Sequence, residues 1–168
     1  MRLAYFCDGT GDPYARLAAL ADTLAADGAR LAGAVQHNIG GDDDCATRME
    51  LRVLGDPGAP VTISQSLGPG SSGCRLDAGA LELAVARVAA RVEAADLLIL
   101  SKFGKQEAAG RGFAPVIGQA MTADVPVIVY VGAEYRADFD AFAAGLAEEI
   151  APDSVDDWCR AVLRARAA

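Results

Sequence analysis

The stretch Asp96-Leu-Leu-Ile-Leu-Ser-Lys-Phe-Gly-Lys-Gln-Glu107 predicts both the fold class and the position of a site. Residues 97–100 form a short, uninterrupted apolar run, which is typical of a parallel strand buried on both faces. A polar loop follows directly and contributes Ser101, Lys102, Lys105 and Glu107. In open α/β sheets ligands bind just beyond the carboxyl ends of such strands, so we expect a ligand site at this loop.

Both lysines of the protein lie in this loop. Lys102 and Lys105 are the only lysines among 168 residues, and Arg111 follows six positions after Lys105. Lysines that merely solvate a surface would be scattered along the chain. We therefore interpret the pair as an anion site. The alternative is a set of exposed ion pairs with Glu107 and neighbouring acids, each of which contributes little.

Composition narrows the class of protein. A chain of 168 residues that is 52% hydrophobic predicts one domain over residues 1–168. The net charge of −8 argues against nucleic acid as a partner, because phosphate backbones attract basic surfaces. No apolar run approaches the length of a membrane span, and the first residues resemble a strand rather than a signal peptide. We expect a cytoplasmic protein without a membrane partner.

Strand and helix patterns alternate, which predicts a three-layer α/β/α sandwich with a mainly parallel sheet of about five strands. The predicted strands are 2–7, 31–35, 97–100 and 125–131, and strands 49–54 and 61–64 form an antiparallel hairpin. The predicted helices are 13–26, 77–95, 114–123, 136–150 and 154–165. Apolar surface on the Ala-rich helices is compatible with a homodimer, and the sequence does not decide the oligomeric state.

The first turn contains the glycine-rich segment Gly9-Thr10-Gly11, between the first strand and the first helix. A phosphate-binding loop would lie there, because backbone N–H groups at a helix start bind anions. These three residues are therefore candidate ligand contacts. The segment lacks a lysine, however, and Asp8 and Asp12 flank it. The competing interpretation is an ordinary turn in which Asp12 caps the helix and proline follows at its first position.

The order of these segments resembles the thermophile-type nucleoside-triphosphatases, a compact family with a P-loop fold. Their signature Asp-Glu-Ile-Gly-Lys-Met-Glu-Leu is similar to the stretch that begins at Ser101, in which Gly104, Lys105 and Glu107 match. The acidic pair that would hold Mg²⁺ and the phosphate-loop lysine are both missing. The resemblance thus implies a degenerate P-loop-NTPase-like domain.

Further motifs resemble a bacterial family known only as a domain of unknown function, whose members look like degenerate relatives of those NTPases. The motifs are Gln36-His-Asn38, Met49-Glu-Leu51 after Cys45, Ile63-Ser-Gln-Ser-Leu-Gly68, Gly73-Cys-Arg-Leu-Asp77 and Lys102-Phe-Gly-Lys-Gln-Glu-Ala108. Genes of that family often lie near molybdate-uptake genes, so the resemblance implies a role in molybdenum metabolism.

Two other groups of residues are candidates for chemistry. Arg75 follows a Gly/Ser-rich run rich in backbone donors and is suited to grip an oxyanion. His37, Cys45 and Cys74 form a candidate metal or redox site. The irregular spacing of these three residues argues against this interpretation, because it matches no metal-binding motif. The aromatic residues mostly fit core positions, and Phe103 is a candidate to stack on a base if the ligand is a nucleotide.

Three functions remain in contention. The first is a protein that binds a small anion or nucleotide without efficient NTP hydrolysis. Its ligand would be a nucleotide with Mg²⁺, or an oxyanion such as molybdate. The second is an active Mg²⁺-dependent nucleoside triphosphatase in which Asp8 or Asp12 holds the metal and Glu107 orients water. The third is a cysteine-based metal or redox accessory protein.

Overall fold

A computed structural model describes residues 2–7, 11–40, 48–65 and 76–167 of the chain. The strands are β1 (Leu3–Phe6), β2 (Leu31–Ile39), β3 (Arg48–Val53), β4 (Val61–Thr62), β5 (Leu97–Phe103), β6 (Val127–Val131) and β7 (Ala147–Glu149). The helices are α1 (Pro13–Ala26), α2 (Ala78–Ala89), α3 (Lys105–Ala108), α4 (Ala114–Thr122), α5 (Arg136–Ala143) and α6 (Val155–Ala167). Short 3₁₀ turns cover Val92–Ala94, Ala133–Tyr135 and Pro152–Ser154.

The seven strands of the described residues form one sheet in the order β4-β3-β2-β5-β6-β1-β7. Neighbouring strands in the run β2-β5-β6-β1-β7 pair in parallel, whereas β3 pairs antiparallel with both β2 and β4. Helices α1 and α6 cover one face, and α2, α4 and α5 cover the other. The predicted three-layer α/β/α sandwich with an antiparallel hairpin is therefore confirmed.

Strand β5 lies inside the sheet, between β2 and β6. Its side chains alternate between the two faces: Leu98 and Leu100 join the core beneath α2 and α4, and Leu97 and Ile99 join the core beneath α1. Both faces are covered, which explains why the run is apolar without interruption. The polar residues at the carboxyl end of this strand lie on the face of the sheet that α2 and α4 cover.

Several predicted boundaries were wrong. Strand β5 continues past Leu100 to Phe103, so Ser101 and Lys102 lie in the strand and not in the loop that was predicted to follow it. Strand β2 continues to Ile39, because its last residues pair with β3 from Ala34↔Val53 to Ile39↔Arg48. The helix predicted over 136–150 ends at Ala143, where Ala144 (φ 48°) and Gly145 (φ 81°) turn the chain, and residues 147–149 pair with β1 instead. The helix predicted over 77–95 ends at Ala89.

The connection between β3 and β4 is tied to α2 through Asp56. The Asp56 carboxylate accepts a hydrogen bond from Arg87 Nε at 3.0 Å and from the Gly58 N–H at 2.6 Å, and it lies 2.9 Å from Arg91 Nη2. The bond from Arg87, then that from Gly58, lowers the pKa of Asp56 to about 2. These contacts hold the hairpin against the helix that forms one side of the site described below.

The low pKa of Asp56 predicts an acid-sensitive contribution to stability. The folded-state pKa lies below the unfolded value of about 3.9, so the contribution is present above pH 4 and is lost as the pH falls towards 2. Asp56→Asn should lower stability at neutral pH and flatten the decline in melting temperature between pH 4 and 2. Asp22→Asn, at an exposed ion pair, is the control and should keep the wild-type slope. If the melting temperatures of the wild type and Asp56→Asn fell equally steeply between pH 4 and 2, the acid-sensitive role of Asp56 would be contradicted.

Candidate functional site

A cavity of about 230 Å³ lies at the carboxyl end of β5, beside β2, and we call it the lysine pocket. Its apolar lining comprises Ala34, Met49, Leu51, Ile63, Leu76, Leu81, Gly104 and Phe113. Its polar lining comprises Gln36, Ser101, Lys102, Lys105, Gln106, Glu107 and Tyr135. The structure thus brings four of the predicted site residues, Ser101, Lys102, Lys105 and Glu107, to one cavity. This is the place where parallel sheets commonly bind ligands.

Neither lysine of the pocket has a carboxylate partner among the described residues. Lys102 is half-buried, with its aliphatic stem packed over the Cα of Gly104, and Lys105 is exposed. By contrast, nine arginines of the described residues lie within 4.0 Å of a carboxylate oxygen: Arg2, Arg16, Arg30, Arg48, Arg52, Arg87, Arg91, Arg136 and Arg160. Within the described part of the chain, the alternative of lysine ion pairs with Glu107 and nearby acids therefore finds no support.

The Glu107 carboxylate is buried and is engaged by the loop itself. Its Oε2 accepts a hydrogen bond from the Gly104 N–H, and its Oε1 accepts one from the Phe113 N–H, each at 3.0 Å. The first bond caps the single turn of α3, and the second closes the loop that leads into α4. Both oxygens therefore fix the backbone that carries Lys105 on one side of the pocket.

The Ser101 hydroxyl extends the pairing of β5 with β2. It donates to the Ala34 carbonyl at 2.9 Å and accepts from the Gln36 N–H at 2.6 Å. Backbone pairing between these strands ends at Ala34↔Leu100, so the hydroxyl supplies the next partner. Ser101 lines the pocket, but its donor is already used within the sheet.

Arg111 is exposed and lies outside the lining of the pocket. Its Nε donates to Gln106 Oε1 at 3.0 Å, and the main chains of these two residues are also joined by a hydrogen bond of 2.8 Å. Arg111 therefore helps to close the loop after α3. Its charge lies near the lysines along the chain, but its side chain does not line the cavity.

In the described part of the turn between β1 and α1, which begins at Gly11, Asp12 already engages two backbone N–H groups of the helix start. Pro13 has no N–H, the Tyr14 N–H donates to Asp12 Oδ1 at 2.8 Å, and the Arg16 N–H donates to the Asp12 carbonyl at 3.1 Å. Burial, then the nearby carboxylates of Asp12 and Glu134, raises the pKa of Tyr14. The described part of this turn is thus capped from within and acidic, which disfavours phosphate.

Several predicted contacts lie outside the described residues. These are Gly9, Thr10, Cys45, Cys74 and Arg75. Gly11 is described and adopts a positive φ of 98° before the cap of α1. His37 lies exposed in β2, opposite Glu50 of β3. In the described ranges no three His, Cys, Asp or Glu residues cluster as metal ligands, and the site with Cys45 and Cys74 stays a prediction.

One prediction about a nucleotide base was wrong. Phe103 is fully buried, with its ring 5.0 Å from that of Phe139 and 5.4 Å from that of Phe142. Its side chain belongs to the core and is not available for stacking. Sequence reasoning also missed Tyr135, which reaches the pocket from a 3₁₀ turn after β6, because no local pattern connects that turn with the lysine loop.

The sequence pattern of the family described as "Protein of unknown function (DUF2478)" matches residues 3–158. The chain belongs to this family. It is also 36% identical over 131 residues to the molybdenum import ATP-binding protein ModC 2 of Bradyrhizobium diazoefficiens. That match covers 77% of this chain but only 14% of the relative, so the chain spans about a seventh of the relative's length.

Two solved structures share the fold of this DUF2478 member. The crystal structure of THEP1 from Aquifex aeolicus superposes with a TM-score of 0.66 at 14% identity, over 98% of each chain. The solution structure of a human cancer-related nucleoside triphosphatase gives a TM-score of 0.63 at 12% identity, over 99% of this chain and 97% of the other. The predicted relation to the thermophile-type P-loop NTPase fold is confirmed. Among the described residues, none of the helices has the length and apolarity needed to cross a bilayer.

Proposed function

We propose that this DUF2478 protein binds a small anion in the lysine pocket and does not hydrolyse nucleoside triphosphates efficiently. The observation that carries the proposal is the pair Lys102 and Lys105, the only lysines of a protein with net charge −8, set beside a cavity without carboxylate partners among the described residues. Two uncompensated cations raise the local concentration of anions even on an acidic protein. A nucleotide or an oxyanion such as molybdate carries the negative charge that the two lysines would bind.

The contacts of the acidic residues support the non-hydrolytic part of the proposal. Hydrolysis with displaced residues would require Asp12 or Asp8 to hold Mg²⁺ and Glu107 to orient water. Asp12 caps α1, and both oxygens of Glu107 accept backbone hydrogen bonds, whereas Asp8 lies outside the described residues. At the end of β5, where an acidic residue would hold Mg²⁺, the chain has Ser101 and Lys102.

The sequence relative supports a cellular context. The name of that protein assigns it to molybdenum import and ATP binding, and the shared region is a small part of its length. We infer that the present protein is an accessory of molybdenum uptake or use, acting in the cytoplasm through a small-molecule ligand. Comparison of the molybdenum content of cells with and without the protein would test this context separately from the binding site.

Removal of either lysine charge at the pocket should weaken anion binding. We expect Lys102→Ala and Lys105→Ala each to weaken anion binding about tenfold, which corresponds to roughly 1.4 kcal/mol. Isothermal titration would use phosphate, molybdate, ADP and ATP, each with and without Mg²⁺, and thermal shift would provide a second readout. Arg164→Ala is the matched control, because it removes one positive charge from an exposed position outside the pocket.

The outcomes separate the functions clearly. Binding that is retained in both lysine variants would overturn the proposed site. Mg²⁺-dependent turnover of ATP that disappears in Asp12→Asn would instead favour the nucleoside triphosphatase. An anion that binds the wild type and Arg164→Ala equally, and both lysine variants weakly, would support the proposal.

A further inference from the structure

The lining of the lysine pocket is divided by the topology of the sheet. Leu51 in β3, Ile63 after β4 and Leu81 in α2 approach from one side of β2. Lys102 and Lys105 approach from the other side, at the end of β5. A ligand that fills the cavity therefore meets hydrocarbon at one end and positive charge at the other.

The apolar wall is fixed in place. Leu51, Ile63 and Leu81 are 4%, 4% and 6% exposed and belong to the main core cluster. They offer no hydrogen bonds, so an inorganic oxyanion pressed against them would lose hydration without compensation. An apolar group placed there would instead gain roughly 25 cal/mol for each Å² removed from water.

The volume favours the same conclusion. A cavity of about 230 Å³ is several times larger than the roughly 30 Å³ that one water molecule takes in the liquid. A four-oxygen anion held by the lysines would leave most of this space unfilled. One ring that carries an anionic group would occupy it.

Two further polar atoms are available to orient such a ring. The Tyr135 hydroxyl and Gln36 Oε1 have no hydrogen-bond partner within the described residues, whereas Gln36 Nε2 donates to Asn38 Oδ1 at 2.9 Å. Both side chains line the cavity. A hydroxyl and an amide oxygen suit a ring with hydrogen-bonding edges, and in small-molecule sites a few such groups fix orientation against an apolar lining.

We propose that the ligand of the lysine pocket is an amphipathic organic anion, with a flat apolar body against Leu51, Ile63 and Leu81 and an anionic end at Lys102 and Lys105. This inference rests on the proposed function and narrows its ligand class. Bare phosphate and molybdate then bind only through their charge. An aryl monophosphate or a mononucleotide uses both halves of the site.

A series of ligands with one constant anionic end tests the inference. Titration would compare inorganic phosphate, phenyl phosphate and 1-naphthyl phosphate on the wild type, with molybdate as a second inorganic anion. We expect affinity to rise at least tenfold from phosphate to 1-naphthyl phosphate. Lys102→Ala should weaken the binding of every member.

Two variants locate the ring. Met49→Trp and Leu76→Trp add bulk at half-buried positions of the lining and do not require the buried wall to move. Each should reduce the gain in affinity between phosphate and 1-naphthyl phosphate, with both affinities measured on the same variant. A ring-dependent gain that survives both variants would place the ring elsewhere and overturn the inference.

The remaining outcomes separate this inference from the proposed function. Equal affinities for phosphate and 1-naphthyl phosphate, both weakened by Lys102→Ala, would overturn the amphipathic ligand and leave the anion site intact. Failure of every anion to bind the wild type would overturn both.

Discussion

Gly33→Ala is expected to lower the free energy of unfolding by more than about 4 kcal/mol, enough to leave little folded protein. Gly33 lies inside β2 with φ 126°, opposite Ile99 of β5. A Cβ at this position would lie 1.9 Å from the Ile99 carbonyl oxygen. That oxygen is main-chain within the sheet interior, so it cannot move aside as a flexible side chain would. The measurement is urea denaturation followed by circular dichroism.

Gly118→Ala is the matched control. Gly118 lies in α4, and outside its own helix no atom of the described residues comes within 4 Å of the place that an added Cβ would take. The same chemical change therefore meets open space. Alanine in a helix interior is more stable than glycine by about 1 kcal/mol, so this variant should be slightly more stable than the wild type. A Gly33→Ala protein that unfolds within about 1 kcal/mol of the wild type would contradict the close approach of β2 to β5.

The elements that were predicted correctly are those whose signals are local. The bounds of α1 follow from Asp12 as the cap, Pro13 at the first position and Gly28 after the end. Residues 97–100 of strand β5 follow from a continuous apolar run that is buried on both faces of the sheet. In each case the residues that decide the element lie within it or directly beside it.

The elements that were missed depend on distant partners. Residues 147–149, Ala-Glu-Glu, have no strand propensity, and they form β7 because the β1 edge offers hydrogen-bond partners. The end of β2, residues 36–39, contains polar residues that resemble a loop, and β3 makes it a strand. In both segments, pairing with a distant strand outweighs the local secondary-structure propensity.

The candidate site shows the same division. The lysine cluster is visible in the sequence because both lysines lie within four residues. The apolar wall could not be predicted, since Leu51 and Leu81 come from elements far from the loop along the chain. The hydrogen bonds of Glu107 were equally hidden, because its second partner, the Phe113 N–H, lies six residues further on.

Glu107→Ala is expected to lower the free energy of unfolding by about 3 kcal/mol, because two buried N–H groups lose a charged acceptor. Glu107→Gln keeps one carbonyl oxygen and should lose about half as much. Urea denaturation of both variants provides the measurement. Glu82→Ala, at an exposed position on α2, is the control and should stay within about 0.5 kcal/mol of the wild type.

The same substitution discriminates between two effects of Glu107 on the lysine pocket. If the carboxylate acted only as a negative charge near the lysines, its removal would strengthen anion binding. Because it holds the backbone between Gly104 and Phe113, we expect Glu107→Ala to weaken anion binding at least tenfold in protein that is still folded. The loop then no longer presents Lys105 in a fixed position, so ordering it on binding costs affinity. A folded Glu107→Ala protein that binds anions more tightly than the wild type would show that repulsion outweighs positioning.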